Sequence, residues 1–349
     1  MLFVSRAWDD GCMTIADAPA RLAAAADASL RWHPGSPYSL AQTLGILLRG
    51  AGDPTFSSRP DGLWTAFTTT NGPVTLHLTS AAAGGPGGLS SGAAGAGEPH
   101  IDVQAWGPGS RAALDGVPRL LGAEDDWSGF DEEVFHATLP RMVRDARRRN
   151  PAVRLPSTGR MVDALVPTIL EQKVTVIEAR RGYRYLMYRF GSPAPGGTAV
   201  PAGLLVQPTP EEWLRIPSWE WHKAGVGPQR SATVMRALRS AVALERLAAL
   251  PAAEAAAKMQ VIPGIGVWTA AEVVQRTHGC PDSIAVGDYH LAGYVGAALT
   301  GRPTDDAGML ALLEPWTGHR QRVVRMIGLS GFRKPVFGPR MTIQDHRRH

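Results

Sequence analysis

Apolar and polar residues alternate in several stretches of the first third of the chain, as they do in half-buried β-strands. A turn-forming pair, Asn71-Gly72, separates two of these stretches and suits the positive φ angles of a type I′ hairpin turn. A helical spacing of apolar residues over 38–48 interrupts the alternation. We therefore predict an antiparallel sheet domain over residues 28–128, with strands near residues 30–32, 63–69, 74–79 and 101–105.

The spacing changes at residue 131, after which apolar residues recur every three or four positions, as amphipathic helices require. An all-helical domain is therefore predicted over residues 129–331, and the fold class of the whole chain is α+β. The predicted helices cover residues 131–149, 162–190 in one or two pieces, 210–214, 231–250, 289–299, 305–313 and 321–329.

Three segments show neither spacing. Residues 1–27 and 332–349 are predicted to be tails, the second of them basic. Residues 81–99 lie between two predicted strands and consist mostly of Ala, Gly, Ser and Pro. Such a composition buries too little apolar area to offset the entropy lost on ordering, so we expect a flexible connection there.

Residues 262–266 read Ile-Pro-Gly-Ile-Gly and interrupt the helical spacing too briefly for an ordinary loop. The glycines allow backbone conformations and close approaches that side chains would block. This predicts a helix-hairpin-helix over residues 259–278, whose second helix begins with free N–H groups and a dipole that favour a phosphate. The DNA backbone is the natural ligand, and its candidate contacts are Ile262, Gly264, Gly266 and Thr269.

Asp288 follows the hairpin and stands at the head of the apolar repeat over 289–299. Aspartate is among the best helix N-caps, which is an ordinary explanation for its presence. A fixed carboxylate beside a DNA anchor can also stabilise positive charge that develops on a bound nucleotide. Both roles are compatible, because a helix N-terminus favours the ionised carboxylate.

Composition narrows the class of protein. The chain has 349 residues, of which 44% are hydrophobic, so two domains with sizeable cores are expected. A net charge of +5 accords with an acidic polymer as partner.

Only Cys12 and Cys280 are present, which excludes a disulfide framework and a four-cysteine iron–sulfur cluster. No apolar run reaches the ~20 residues that cross a bilayer. We expect a cytoplasmic monomer without a cofactor or a metal-ligand cluster.

Three motifs together resemble a known family. They are the hairpin segment IPGIGVWTA, the aspartate in GDYHL and the upstream helix segment ILEQ. The combination resembles the helix-hairpin-helix base-excision DNA glycosylase superfamily, and most closely its 3-methyladenine DNA glycosylase II branch. The resemblance implies an N-terminal sheet domain packed on a helical glycosylase domain, Asp288 as the catalytic residue, and double-stranded DNA with a damaged base as the partner. It also allows a structural alkali ion at the hairpin carbonyls.

The resemblance also implies a base pocket formed by Trp268, Tyr289 and Glu272. Trp268 stands where lyase-type members carry their nucleophilic lysine, which implies that Schiff-base chemistry is lost. Its indole either stacks on a cationic base or packs between helices. Tyr289 follows the catalytic position as an aromatic does in that branch. Glu272 stands where the branch has an aromatic, and it either complements a cationic base or is an exposed helix glutamate.

Gln172 and Lys173 occupy the region where the branch inserts an apolar wedge into the gap left by a flipped nucleotide. Lys173 departs from that pattern, and it is either a solvated helix position or a protruding stem with its ammonium near phosphate. The expected function is that of a monofunctional DNA glycosylase acting on alkylated purines. The alternatives are a lyase-competent glycosylase, a glycosylase for another damaged base, and a non-catalytic DNA-binding protein.

Overall fold

The computed structural model describes residues 25–81 and 98–334. Most of the predicted N-terminal tail and of the predicted flexible connection lie outside the described residues. So do residues 335–349 of the predicted basic tail.

Five strands form an antiparallel sheet, with the spatial order β1-β5-β4-β3-β2. They are β1 (Ala28–Trp32), β2 (Phe56–Arg59), β3 (Gly62–Thr69), β4 (Gly72–Ala81) and β5 (His100–Trp106). Helices follow the sheet for the rest of the described chain, except for a second, two-stranded sheet within residues 192–206 that the prediction of an all-helical domain did not include. The predicted α+β fold class is therefore confirmed, although β2 was not predicted.

The β3–β4 hairpin is present, but the predicted type I′ turn at Asn71-Gly72 is wrong. Thr69 pairs with Gly72, so the two turn residues are Thr70 and Asn71. Only Gly72 has a positive φ, of 118°. The hydroxyl of Thr69 accepts the N–H of Asn71 at 3.2 Å and donates to the carbonyl of Gly72 at 3.0 Å. This local bonding by threonine stabilises a turn that needs no positive φ at Asn71.

Helices cover one face of the sheet. The three short helices α1 (Leu40–Leu44), α2 (Ser110–Asp115) and α3 (Val117–Leu120) pack on inward residues such as Leu76, Leu78 and Val103. The opposite face, around Trp64 and Trp106, is covered by residues 199–206. These include β7 (Leu205–Val206), which pairs with β6 (Ser192–Pro193). Both faces of the sheet are thus buried.

The first predicted helix of the second half, over 131–149, is divided in the structure. Its parts are α4 (Ser128–Asp131), α5 (Glu133–Thr138) and α6 (Arg141–Arg149). Pro140 disfavours helical geometry at the residue before it, and Leu139 is accordingly extended, with φ −70° and ψ 145°. The prediction of one helix was wrong because it followed apolar spacing across a proline.

The next helices surround α7 (Met161–Leu170), in which every residue except Asp163 is buried. The others are α8 (Val176–Phe190), α9 (Pro210–Leu214), α10 (Ser218–Lys223), α11 (Pro228–Leu238), α12 (Ala241–Arg246), α13 (Ala252–Met259), α14 (Val267–Thr277), α15 (Leu291–Thr300), α16 (Asp306–Leu313) and α17 (Arg320–Leu329). Short 3-10 turns occur at Gly197–Ala199, Leu247–Ala249 and Glu314–Trp316.

The predicted helix over 231–250 is also divided, between α11 and α12. Ser240 leaves helical geometry there, with φ −110° and ψ 20°. The break directs Glu245 of α12 at the start of α7, where its carboxylate accepts the N–H groups of Met161 at 3.0 Å and Val162 at 2.8 Å. Because α7 is buried, these N–H groups need a partner from the protein, and the break supplies one.

Candidate active site

The loop between α13 and α14 contains two glycines with different structural requirements. Gly264 has a φ of 98°, and a Cβ at this position would overlap the side chain of Thr233 on α11. Gly266 is extended, with φ −101° and ψ −175°, and a Cβ there would have open space. No side chain caps α14. Its first N–H groups are therefore open to a ligand, as the sequence predicts for a phosphate.

Two long side chains hold the hairpin loop in place. Gln172 donates through Nε2 to the carbonyl of Gly264 and to Oγ1 of Thr269, each at 2.9 Å. Arg236 donates to the carbonyl of Pro263. Thr269 is only 2% exposed and its hydroxyl accepts from Gln172, so that hydroxyl is not free to contact DNA as the sequence predicts. A cation at the Pro263 carbonyl would meet the Arg236 guanidinium, so this carbonyl does not fit an alkali ion.

Asp288 lies just before α15 and makes three hydrogen bonds. Its Oδ1 accepts the N–H groups of His290 and Leu291, each at 2.8 Å. Its Oδ2 accepts the indole N–H of Trp268 at 3.3 Å. The helix begins at Leu291 and not at residue 289, with His290 as its N-cap, so Asp288 is not the N-cap residue itself. Its first two bonds nevertheless satisfy N–H groups at the helix start. The third fixes the carboxylate beside the first turn of α14, next to the open N-terminus.

A pocket of ≈ 370 Å³ opens beside Asp288. We call it the Asp288 pocket, and it is lined by Glu272, Ala285, Asp288, His290, Leu291, Tyr294 and Lys334. Glu272 enters it from α14, one turn after Trp268. Its Oε2 pairs with Nη1 of Arg276 at 2.7 Å, and its side chain is 19% exposed. The alternative of a solvent-exposed helix glutamate therefore does not hold.

Asp288, Trp268 and Glu272 are brought together, whereas Tyr289 lies apart. The Tyr289 side chain is 81% exposed and contacts the ring of His290 edge-on, with centroids 4.8 Å apart. The sequence analysis did not identify His290, Leu291, Tyr294 or Lys334 as pocket residues. The sequence offers one sign of Lys334, namely that it is one of four lysines in the chain. It lies, however, within residues 332–349, which are predicted to be a basic tail.

The predicted wedge lies between α7 and α8, and its two residues differ. Gln172 is turned toward the hairpin by its hydrogen bonds. Lys173 is exposed and has a φ of 53°. Among the non-glycine residues of the described chain, it is the one with a positive φ. The apolar side chains of Val176 and Ile177 follow, 52% and 61% exposed. An unfavourable backbone conformation thus projects Lys173 beside an exposed apolar surface.

Comparison with sequence families and with curated proteins finds no match. Solved structures do match. A 3-methyladenine DNA glycosylase from Archaeoglobus fulgidus is 15% identical, with a TM-score of 0.65, and the match covers 87% of this chain and 99% of that chain. The apo-form of an 8-oxoguanine glycosylase/lyase from Clostridium acetobutylicum is 9% identical, with a TM-score of 0.60 over 87% of this chain and 96% of that chain. The chain has the fold of the helix-hairpin-helix base-excision DNA glycosylases.

Within this glycosylase fold, Arg49 fastens the sheet domain to the helices. It pairs with Glu171 at 2.7 Å and donates to Oγ1 of Thr168 at 2.9 Å. Burial, and then the charge of Arg276, lower the pKa of the Arg49 guanidinium, whereas Glu171 and Glu272 raise it. Glu171 immediately precedes the predicted wedge, so the position of that wedge depends on the sheet domain as well as on the hairpin.

Among residues 25–81 and 98–334, no helix is long and apolar enough to span a bilayer.

Proposed function

We propose that this protein is a monofunctional DNA glycosylase that hydrolyses the N-glycosidic bond of alkylated purines in double-stranded DNA. The observation that carries the proposal is the Asp288 carboxylate, held by the Trp268 indole beside an uncapped helix N-terminus. A DNA phosphate bound at that terminus would bring a neighbouring nucleotide close to the carboxylate. The Asp288 pocket beside it would then receive the flipped base.

The chemistry suits a fixed carboxylate. As the glycosidic bond lengthens, positive charge develops on the sugar, and an anion already in place lowers the barrier without reorganisation. Asp288 is held by three hydrogen bonds and lines an open pocket, so it can also orient an attacking water. An N-alkylated purine carries positive charge before cleavage and departs as a neutral base. It therefore needs no strong general acid.

A panel of duplexes, each with one defined lesion, tests the proposal directly. Free base should be released from duplexes that contain alkylated purines and not from duplexes with uracil or undamaged bases. Binding to all duplexes without release of any base would instead identify a non-catalytic DNA-binding protein in which Asp288 only caps α15. Release of 8-oxoguanine alone would identify a glycosylase for another damaged base.

The absence of a lysine at position 268 predicts the product. We expect an intact strand with an abasic site, which breaks only after alkali or heat treatment, because Trp268 cannot form a Schiff base with the sugar. Borohydride added during the reaction should trap no covalent complex. The measurement is denaturing electrophoresis of labelled duplex, with and without alkali, together with protein gels after borohydride treatment.

A borohydride-dependent adduct would show that another amine reaches the sugar. Lys334 lines the Asp288 pocket, whereas Lys173 projects from the wedge region. An adduct lost in Lys334→Met but retained in Lys173→Met would assign the nucleophile to Lys334 and replace the monofunctional proposal with a lyase-competent one.

We further propose that Lys173 acts as the wedge that fills the gap left by the flipped nucleotide. Lys173→Gly should reduce base release by roughly 10-fold, because no side chain remains to fill the gap left by the flipped nucleotide. Lys173→Leu should retain most of the activity, because its apolar side chain still fills that gap. Single-turnover rates of base release would be compared for the three proteins.

Because Lys173 has a positive φ, replacing it with glycine should not destabilise the fold. Glycine adopts this conformation readily, so Lys173→Gly should unfold no more easily than the wild type, as measured by thermal denaturation. A loss of activity in a stable Lys173→Gly protein then reports on the missing side chain. Equal activity of all three proteins would remove Lys173 from the wedge.

A further inference from the structure

A side chain of another helix contacts the loop that carries Asp288. Gly287, the residue before Asp288, donates its N–H to Oδ2 of Asp306 at 3.1 Å. Asp306 is the first residue of α16, and it does not line the Asp288 pocket. Its carboxylate can therefore affect that pocket only through the loop.

The two N–H groups on either side of Gly287 bond within the loop itself. Val286 donates to the carbonyl of Ile284 at 2.9 Å, and Asp288 donates to the carbonyl of Ala285 at 3.2 Å. Ile284 and Ala285 are buried, so the start of the loop is anchored in the core. Gly287 is exposed and has a φ of 89°. The chain thus turns at an exposed residue, immediately before the carboxylate.

The turn at Gly287 depends on backbone conformation and not on space. A Cβ at this position would have open space, but a φ of 89° is one that residues with side chains rarely adopt. Glycine also adopts other backbone conformations at little cost. The turn therefore needs a contact from outside the loop to keep this one, and the bond to Asp306 is such a contact.

The other oxygen of Asp306 gains nothing from its position. Oδ1 is buried and has no hydrogen-bond partner in the described part of the chain. A buried acceptor without a partner costs free energy, and each such group in a native structure calls for an explanation. The start of α16 does not provide one, because Asp305 already caps that helix by accepting the N–H of Gly308 at 2.8 Å. The bond to Gly287 remains as the contribution of this carboxylate.

We propose that Asp306 is a positioning residue, which holds the turn at Gly287 so that the Asp288 carboxylate keeps its place in the pocket. This inference rests on the proposed function, because it assigns a residue that acts through the proposed catalytic group. A displacement of about 1 Å in a reacting group can slow a reaction about 10²-fold. Asp288 would keep its own bonds to Trp268 and to the start of α15, so we expect loss of the Asp306 bond to slow base release roughly 10-fold.

The test compares single-turnover base release, at saturating enzyme, by two variants of Asp306. Asp306→Ala removes the acceptor and should be slower than wild type roughly 10-fold, while its affinity for a duplex with an abasic site stays similar. Asp306→Asn keeps an oxygen that can accept the N–H of Gly287, so it should release base at close to the wild-type rate. Rescue by asparagine separates the hydrogen bond from the negative charge.

Asp305→Ala is the matched control. It removes a carboxylate one position away together with the cap of α16, so thermal denaturation should show a loss of stability at least as large as that of Asp306→Ala. The Asp305 carboxylate bonds to Gly308 and not to Gly287, so base release should keep its wild-type rate. An equal slowing in the two alanine variants would mean that the stability of α16 controls the rate, and it would overturn the proposal.

Gly287→Ala tests the same turn from the other side of the bond and replaces Asp306→Ala if that variant does not fold. Alanine at a φ of 89° strains the turn, so base release should slow. Gly301→Ala applies a similar strain at the end of α15, where φ is 77° and a Cβ also has open space. Its rate should remain that of wild type.

Three results would overturn the positioning role while leaving the proposed function standing. They are a wild-type rate in Asp306→Ala, an Asp306→Asn variant as slow as Asp306→Ala, and equal rates for Gly287→Ala and Gly301→Ala. Wild-type protein that releases no base, or an Asp288→Asn variant as fast as wild type, would overturn the proposed function and this inference together.

Discussion

Asp288→Asn should slow base release by about 10²- to 10³-fold while affinity for the damaged duplex stays similar. The amide oxygen of asparagine can still accept the N–H groups of His290 and Leu291, so the start of α15 is preserved. The negative charge is lost, and the amide NH₂ cannot accept the bond from Trp268. Single-turnover rates and equilibrium binding to the same duplex would separate the two effects.

Asp305→Asn provides a matched control for this variant. Asp305 caps α16 by accepting the N–H of Gly308 at 2.8 Å, but it does not line the Asp288 pocket. Its replacement makes the same chemical change at another helix start, and base release should be unaffected. Similar turnover by Asp288→Asn and wild type, or an equal loss in both variants, would refute the catalytic role of Asp288.

Local sequence patterns account for the features that were predicted correctly. The hairpin and the aspartate that bonds to the start of α15 depend on residues that are close in the chain, since glycine, proline and aspartate restrict the backbone near their own positions. The β3–β4 hairpin has a similar local origin. The turn type was predicted wrongly for a local reason as well. The hydroxyl of Thr69 bonds to the N–H of Asn71 and the carbonyl of Gly72, and these bonds stabilise a different turn.

The pocket could be predicted only in part, because it depends on contacts between distant segments. Lys334 comes to line the same pocket as Glu272 and Asp288 only after α15 and α17 have packed and Phe332 has docked on Tyr294. Apolar spacing contains no information about that docking. The two hairpin glycines could likewise not be distinguished from the sequence. Only Gly264 has no room for a side chain, and this depends on the position of Thr233 on another helix.

The ion pairs that join the elements were also invisible in the sequence. Arg49 and Glu171 are far apart in the chain, and each would be interpreted as solvated charge by itself. Arg49 packs on α7 and its side chain is largely buried there, which makes the pair with Glu171 necessary, because an unpaired buried charge is costly. Charged residues thus connect the sheet, the wedge region and α14 in a way that composition alone does not indicate.

The strongest effect on DNA binding is expected from Gly266→Asp. Gly266 is the N-cap of α14, its backbone is extended, and open space surrounds the position of a Cβ. Aspartate suits an N-cap, so the variant should fold at least as stably as wild type. Its carboxylate would occupy the free N–H groups and repel the phosphate that the helix start is proposed to bind. Affinity for every duplex should fall about 10-fold or more, since a charge-assisted hydrogen bond contributes about 1.5–3 kcal/mol.

Gly264→Ala distinguishes this effect from damage to the hairpin. Alanine at position 264 would have to adopt a φ of 98°, and its Cβ would overlap the Thr233 side chain. That variant should therefore lose stability together with DNA binding. Gly266→Asp should lose binding alone. Its affinity should also depend less steeply on salt than that of wild type, because fewer counterions are released when one phosphate contact is lost. An unchanged affinity and salt dependence in a stable Gly266→Asp protein would mean that DNA docks elsewhere, and Asp288 would then lack the anchor that brings a nucleotide to it.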